Sequence, residues 1–540
     1  MTTPTNQSER ERLYLFDTTL RDGQQAAGVD FSVDDKESIC ALLDELGLDY
    51  IEGGYPGANP TDTTFFAKPR RFSNAMLTAF GMTKRAGRSV ENDPGLAMIL
   101  DAEASAVCLV AKSWDYHVEV ALGITEDENI QCIRESVEAI VRRDKEAMID
   151  CEHFFDGFKA NPEYALACAK TAFDAGARWV VLCDTNGGTL PHEVHRIVSE
   201  VTQHIDGAHL GIHAHNDTEN AVANSLAAID AGVRQVQGTL NGLGERCGNA
   251  NIVSIIPTLL LKPDYADRFE TGVTHESLAN LTRASRHLDD ILNRTPNRHQ
   301  PYVGDSAFAH KGGIHVSAVM KDPKTYEHVV PQAVGNERKI LVSDQAGRSN
   351  ILARLETAGI ETGDQGAVDR ILSEIKEKEL VGYSYDSAGA SFELLARSVM
   401  GTVPEFFEVV SYEVRVANQG GAIEESSATA TVTLRIDGEE ITTEGEGNGP
   451  INALDSALRA DLRRYAPYLK DLRLTDYKVR ILNTGTGAVT RVVIESGDGK
   501  ANSWRTIGVS ENVVAASFRA LHDSIIYKLC REGVSANPES

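Results

Sequence analysis

No Cys-x-x-Cys pair occurs in this sequence: its eight cysteines stand at 40, 108, 132, 151, 168, 183, 247 and 530, several inside apolar strand-like runs. Such scatter argues against a disulfide framework and for reduced, buried thiols in a cytoplasmic protein. Cations are scarce as well, 53 against 79 acidic residues, so a broad electrostatic grip on nucleic acid or an anionic membrane is not expected. The longest apolar stretch, near "NIVSIIPTLLL", falls well short of the roughly 20 residues of a membrane span. The N-terminal "MTTPTNQSERER" lacks the apolar core of a secretory signal. Neither a P-loop nor a Rossmann glycine fingerprint stands in its proper strand-to-helix context, which disfavours nucleotide chemistry.

What is present is ordinary globular composition, 42% apolar and 24% charged over 540 residues, long enough for about two to four domains. From residue 13 to about 261, eight short apolar runs alternate with helix-period segments: "LYLF", "DYIEGG", "AMLTAFG", "AVCLVAK", "AMIDCEHF", "WVVLCDT", "LGIHAHN" and "QVQGTLN". Strands that alternate with helices run parallel, and eight such units close into a (β/α)8 TIM barrel, with an open doubly wound sheet as the alternative. The barrel domain is expected over 1–268 and a mainly helical connector over 269–405. A C-terminal α+β domain over 406–540 should carry a duplicated βββα module, because "SALRA" at 456 falls on "ASFRA" at an offset of 60.

Chemistry in a parallel barrel gathers where strands end. Arg21 and Asp22 follow strand one, Glu152 and His153 strand five, Asp184 and Thr185 strand six, and Asn249 lies beyond strand eight. His213 and His215 are two apart on strand seven, so their side chains leave the same face. Imidazoles with a carboxylate and an amide oxygen suit a divalent zinc, manganese or magnesium ion. Glycine clusters at 52–60, 184–191 and 241–251 read mostly as strand-to-helix turns.

Three stretches resemble one family: "FDTTLRDGQQ", "GIHAHNDTENAVANSLAAIDAGVRQVQGTLNGLGERCGNAN" and "FAHKGGIHVSAVMKDPKTYEHV" are similar to the motifs of the 2-isopropylmalate, homocitrate and citramalate synthases. The resemblance covers nearly the whole chain, including a C-terminal region like that family's amino-acid-binding regulatory domain. It implies a Claisen condensation of acetyl-CoA with a 2-oxo acid, followed by hydrolysis that releases CoA. It also implies metal ligands Asp22, His213, His215 and Asn249, with Arg21 on the oxo acid and its developing alkoxide and Thr185 on the substrate carboxylate. Glu152 would assist proton transfer. His315, with His310 as the competing choice, and Tyr326 would complete the site from the connector, usually across a homodimer.

The loops "EGGYPGANP" and "AKSWDYHV" look most like the citramalate branch, so the expected oxo acid is pyruvate and the expected product (R)-citramalate, on the way to isoleucine. Met82 and Trp114 are candidate walls of the methyl pocket. A homocitrate synthase would need a cation for the second carboxylate of 2-oxoglutarate, for which Lys84 and Lys112 are the candidates, and a 2-isopropylmalate or homocitrate synthase is the alternative. An acyl-CoA lyase on the same barrel lacks the duplicated module, and an inactive amino-acid-binding regulator is the remote reading. Feedback by isoleucine, or else leucine, is expected at the glycine-rich turns "GEGNGP" and "TIGVS" before the two module helices.

Overall fold

The computed structural model describes residues 10–342, 347–361, 365–418, 426–482, 488–499 and 502–536. The polar N-terminal stretch therefore lies, as far as residue 9, outside the described residues. The chain divides into two compact units, one of residues up to Phe308 with Val329–Glu337, the other of Ala309–His328 with Arg338 onward. The division falls inside the stretch read as a helical connector.

In the first unit eight strands form a closed parallel barrel: β1 Tyr14–Asp17, β2 Tyr50–Gly54, β3 Met76–Met82, β4 Ala106–Lys112, β5 Glu146–Glu152, β6 Trp179–Asp184, β7 Leu210–Ala214 and β8 Gln235–Gly238. Closure is by β8 on β1, with Tyr14 opposite Gln235 and Asp17 opposite Gly238. This is the TIM barrel, and the open sheet is set aside.

The helices begin where local chemistry tells them to. Helix α1, Val33–Leu46, starts in a capping box in which Ser32 Oγ accepts from Asp35 N at 3.1 Å and Asp35 accepts from Ser32 N at 2.9 Å. Helix α2, Glu126–Val141, repeats the device with Thr125 and Glu128, and α3, Pro162–Asp174, has Asn161 as its cap and proline in its first turn.

The barrel interior is layered. Its lower part is filled by side chains that include Phe16, Tyr50, Met148 and Trp179; Trp179 Nε1 donates to Tyr50 Oη at 3.1 Å, and Tyr50 Oη donates to Glu146 at 2.6 Å. Above them the inward positions turn polar, with Glu52, Asp150, His213 and Gln237 all buried. A change from apolar to polar along the same strands marks the upper rim as the place for chemistry.

The second unit carries connector helices that include α4 Arg348–Thr357, α5 Gln365–Leu380 and α6 Gly389–Val399, and two copies of one module. The first copy has β9 Glu408–Asn418, β10 Ser426–Ile436, β11 Glu439–Gly447 and α7 Pro450–Ala460; the second has β12 Arg473–Ile481, β13 Thr490–Gly497, β14 Ser503–Ser510 and α8 Val513–Arg531. Both sheets are antiparallel in chain order.

The true offset between copies is set by how each helix lies on its last strand. Thr443 Oγ1 donates to Ala457 O at 2.7 Å, and Thr506 Oγ1 to Ala520 O at 2.7 Å. A Cβ on Gly445 would lie 2.3 Å from Ala457 N, and one on Gly508 1.9 Å from Ala516 O. Thr443 with Thr506, Gly445 with Gly508 and Ala457 with Ala520 are each 63 apart. The short match at 60 is thus one helical turn out of register, and "TIGVS" belongs to strand β14, where its glycine permits helix contact. The α8 N-terminus is instead capped by Asn512, which accepts from Val514 N and Ala515 N.

Candidate active site

Backbone pairing of β1 stops at Asp17, four residues before the expected Arg21–Asp22 pair. Thr18 O accepts from Arg21 N at 3.2 Å and from Gly23 N at 3.0 Å, and this turn carries Arg21 and Asp22 onto the barrel's upper rim. Asp17 itself is fully buried against Thr19, whose N and Oγ1 donate to it, and burial pushes its carboxyl up to about 7.

Asp22, His213 and His215 present ligand atoms that all lie within 4.8 Å of one another, and all three side chains are buried. His213 Nε2 is 3.1 Å from Asp22 Oδ2 and 3.3 Å from His215 Nε2, while His215 Nε2 is 3.8 Å from the same Asp22 oxygen. Asn249 joins them: its Nδ2 donates to Asp22 Oδ2 at 2.8 Å, and its Oδ1 is buried without a hydrogen-bond partner. An orphaned amide oxygen beside two imidazoles and a carboxylate fits a divalent cation in chemistry and in number of donors. The approach is close: a Cβ on Gly244 would lie 2.0 Å from Asn249 Oδ1.

Electrostatics divide these ligands. Burial acts to raise the Asp22 carboxyl, but Arg21 and the two histidines hold it far below its ordinary value. Burial would lower His213, yet the adjoining Asp22 raises it, whereas burial and the neighbouring His213 push His215 down to about 4. His215 is therefore neutral at physiological pH, the form that binds a metal.

Arg21 is clamped from two sides. Its Nε donates to Glu52 Oε2 at 2.7 Å, and its guanidinium carbon lies 3.9 Å from the centre of the Phe80 ring. Glu52 is wholly buried, takes a second hydrogen bond from Thr18 Oγ1 at 2.6 Å, and has its carboxyl raised by burial against the opposing charge of Arg21. Phe80 is one step deeper than Met82 on the same face of β3; Met82 is 38% exposed at the strand end. Phe80 is thus the buried apolar residue against Arg21, and Trp114 stacks on His117 with ring centres 5.1 Å apart.

Glu152 ends β5 and is ion-paired with Lys112 from β4. Thr185 Oγ1 accepts from His153 N at 2.9 Å, a bond that His153 reaches in the left-handed region, φ 57°. Arg246 steadies the next link, donating to Thr185 O at 2.8 Å and to Asp217 at 2.7 Å.

In the second unit, His315 lies on the helix Gly313–Val319, and its ring centre is 4.3 Å from that of Tyr326. Both are exposed. His310 differs: it is buried, 3.1 Å from Glu327, and Glu327 is held in turn by both Nε and Nη2 of Arg338 at 2.6 Å. The two candidate histidines thus differ in setting, His310 buried on a clamped carboxylate and His315 exposed beside Tyr326.

Residues 12–284 match the HMGL-like family, 302–381 the homocitrate synthase post-HMGL domain-like family, and 387–529 the LeuA allosteric (dimerisation) domain. Over 527 residues the chain is 50% identical to the (R)-citramalate synthase of Aquifex aeolicus, covering 97% of this chain and 98% of that relative. The chain belongs to the (R)-citramalate synthase family. A second member, from Geobacter sulfurreducens, is 49% identical over 95% of this chain and 97% of its own length. Among solved structures, the hydroxymethylglutaryl-CoA lyase of Pseudomonas aeruginosa matches 53% of this chain and 95% of its own, at 20% identity and a TM-score of 0.45.

Against the (R)-citramalate synthase resemblance, the structure brings Arg21, Asp22, His213, His215 and Asn249 together and sets Thr185 and Glu152 on the same rim. Four residues of that rim escape sequence reasoning: Glu52, Phe80, Asp150 and Gln237. A signal exists for two of them, since Asp150 shares a face with Glu152 and Gln237 with Gln235, and polar residues at period two inside a barrel strand face the interior. Lys84 donates to Arg88 O at 2.8 Å and pairs with Glu135 at 3.0 Å, and Lys112 pairs with Glu152. Lys84 is thus held by Arg88 and Glu135, and Lys112 by Glu152 on the rim itself.

Proposed function

We propose that this chain condenses acetyl-CoA with pyruvate and hydrolyses the resulting thioester to (R)-citramalate and CoA. The observation that carries the reading is the donor set of Asp22, His213, His215 and Asn249 beside a clamped Arg21, in a chain half identical to (R)-citramalate synthases over nearly its whole length. These four residues would hold a divalent ion, which would supply electrophilic polarisation of the oxo acid when bound. Manganese, magnesium and zinc all suit the ligands.

The side chains do the rest. Arg21, fixed by Glu52 and Phe80, offers its guanidinium to the oxygen on which charge grows, where a preorganised cation acts chiefly on the transition state. Thr185 retains its hydroxyl hydrogen for the pyruvate carboxylate while accepting from His153. Phe80 supplies the apolar surface for the pyruvate methyl. His315, partnered by Tyr326, removes a proton from the acetyl methyl, and Glu152 assists its transfer. The new carbon–carbon bond joins that methyl carbon to the pyruvate carbonyl carbon, whose oxygen takes up a proton. Water then adds to the thioester and CoA leaves as the thiol.

We further read the second unit as a dimerising region that binds an amino-acid effector, isoleucine before leucine, supported by the LeuA match. No helix of the described residues is long and apolar enough to cross a membrane, and among the eight free cysteines six are buried; both support a cytoplasmic setting for an enzyme of isoleucine biosynthesis. The decisive test of the substrate is CoA release with acetyl-CoA and a panel of 2-oxo acids. Preference for pyruvate is expected, and preference for 2-oxoisovalerate or 2-oxoglutarate would overturn it.

A further inference from the structure

Of the two histidines in the donor set, one is supported from behind and the other is not. His215 Nδ1 is buried without a hydrogen-bond partner. His213 Nδ1 lies 2.8 Å from Gln237 Oε1, and the amide of Gln237 reaches on, its Nε2 donating to Asp150 Oδ1 at 3.0 Å. Gln235 and Gln237 are both fully buried on β8, and Asp150 is 3% exposed, so water does not compete for these bonds.

The direction of the chain follows from its far end. Asp150 Oδ1 accepts from Gln237 Nε2 at 3.0 Å, so it faces Gln237 as an acceptor. Only the NH2 of the amide can meet it, and turning the amide round would set oxygen against oxygen. Gln237 therefore shows His213 its oxygen. An oxygen accepts, so the hydrogen of the neutral imidazole sits on Nδ1 and the lone pair on Nε2. Nε2 is the atom 3.1 Å from Asp22 Oδ2 and 3.3 Å from His215 Nε2.

We propose that Gln237, oriented by Asp150, is a positioning residue that locks His213 in its Nδ1–H tautomer and aims Nε2 at the bound cation. The inference rests on the metal reading of Asp22, His213, His215 and Asn249. An outer partner of this kind raises ligand basicity and fixes ring orientation, and its loss commonly weakens metal binding by about 10- to 100-fold. A buried amide serves here because a carboxylate at 237 would stand against Asp150, two like charges within one hydrogen bond's length.

The test uses the full-length apo protein, Mn2+ titration followed by the EPR signal of the free ion, and 15N spectra of labelled histidine at alkaline pH, where His213 is neutral, to read the tautomer. Gln237→Met keeps side-chain length and removes both polar atoms; it should weaken Mn2+ binding about 10- to 100-fold and release His213 into mixed tautomers. The double variant Gln237→Glu with Asp150→Asn preserves net charge and reverses donor and acceptor at the far bond only. The amide introduced at position 150 can donate to the carboxylate introduced at position 237, which still accepts from His213. This variant should restore Mn2+ affinity and the Nδ1–H tautomer. Gln237→Met with wild-type affinity and tautomer would overturn the proposal. His213→Ala separates the two levels: if it binds Mn2+ as the wild type does, the metal reading itself fails. If it loses Mn2+ while Gln237→Met does not, only the relay fails.

Discussion

Arg21 donates through Nε to Glu52 at 2.7 Å, and this buried pair joins the rim of the barrel to its interior. Glu52 lies in the middle of β2 with every residue of the strand buried, so the guanidinium is held by a group that cannot move. Removing one partner of a buried pair leaves the other charge unmatched, at a cost of about 3–5 kcal/mol. Glu52→Gln should therefore lower kcat/KM for pyruvate on the order of 100-fold, with the KM for acetyl-CoA little changed. Steady-state kinetics with each substrate varied in turn checks this; equal losses for both substrates would contradict it.

His315 and His310 should separate by phenotype. His315 is exposed with its ring tilted against that of Tyr326, whereas His310 is buried on Glu327. His315→Ala should lose roughly 10²- to 10⁴-fold in kcat, the usual worth of a general base, with an unchanged melting curve. His310→Ala should instead destabilise its unit by about 1–3 kcal/mol through loss of the buried His310–Glu327 hydrogen bond. Turnover and thermal unfolding of the two variants, measured side by side, decide the assignment.

Asp17 gives a pH dependence. Its folded carboxyl is raised by burial to about 7 from 3.8, so between these values the folded state holds a proton that the unfolded state has lost. Its contribution is fully present below the unfolded value and is lost as pH rises through the folded one, at a slope of at most about 1.4 kcal/mol per pH unit. Asp17→Asn should flatten the fall in barrel stability between pH 4 and 7 and raise the unfolding temperature at pH 8. Calorimetry across that range tests it, and an unchanged slope would count against it.

Gly508 makes a prediction for the second unit. A Cβ there would meet Ala516 O at 1.9 Å, backbone that cannot swing away. Gly508→Ala should destabilise the unit by about 1–3 kcal/mol, the typical cost of forcing atoms into a packed contact, and Gly445→Ala should do the same in the first copy. Thermal unfolding of both variants shows whether the 63-residue equivalence describes their energetics as well as their geometry.

The alternation of strand and helix made the barrel legible in sequence, and His-x-His on strand seven with Asp22 after strand one located the donor set. What went unread was parity: Asp150 shares a face with Glu152 and Gln237 with Gln235, and closure of β8 on β1 turns that face, with Glu52, inward. The duplicated module was legible as a pattern but not in register, because a short run of matching helix residues weighs less than the strand–helix contacts of Thr443 and Thr506 that fix the offset. His315 and His310, close together in one motif, differ in burial and in partners, Tyr326 for the one and Glu327 with Arg338 for the other, that no spacing rule names.

The central claim is that Asp22, His213, His215 and Asn249 hold a cation on which the condensation depends. It is tested most directly by CoA release from acetyl-CoA and pyruvate after exhaustive chelation, then after Mn2+ is restored, in the wild type and in His213→Ala. The wild type should fall silent on chelation and recover with Mn2+, and the variant should remain inactive in both states. Turnover by chelated enzyme, or full activity of His213→Ala, would contradict the account.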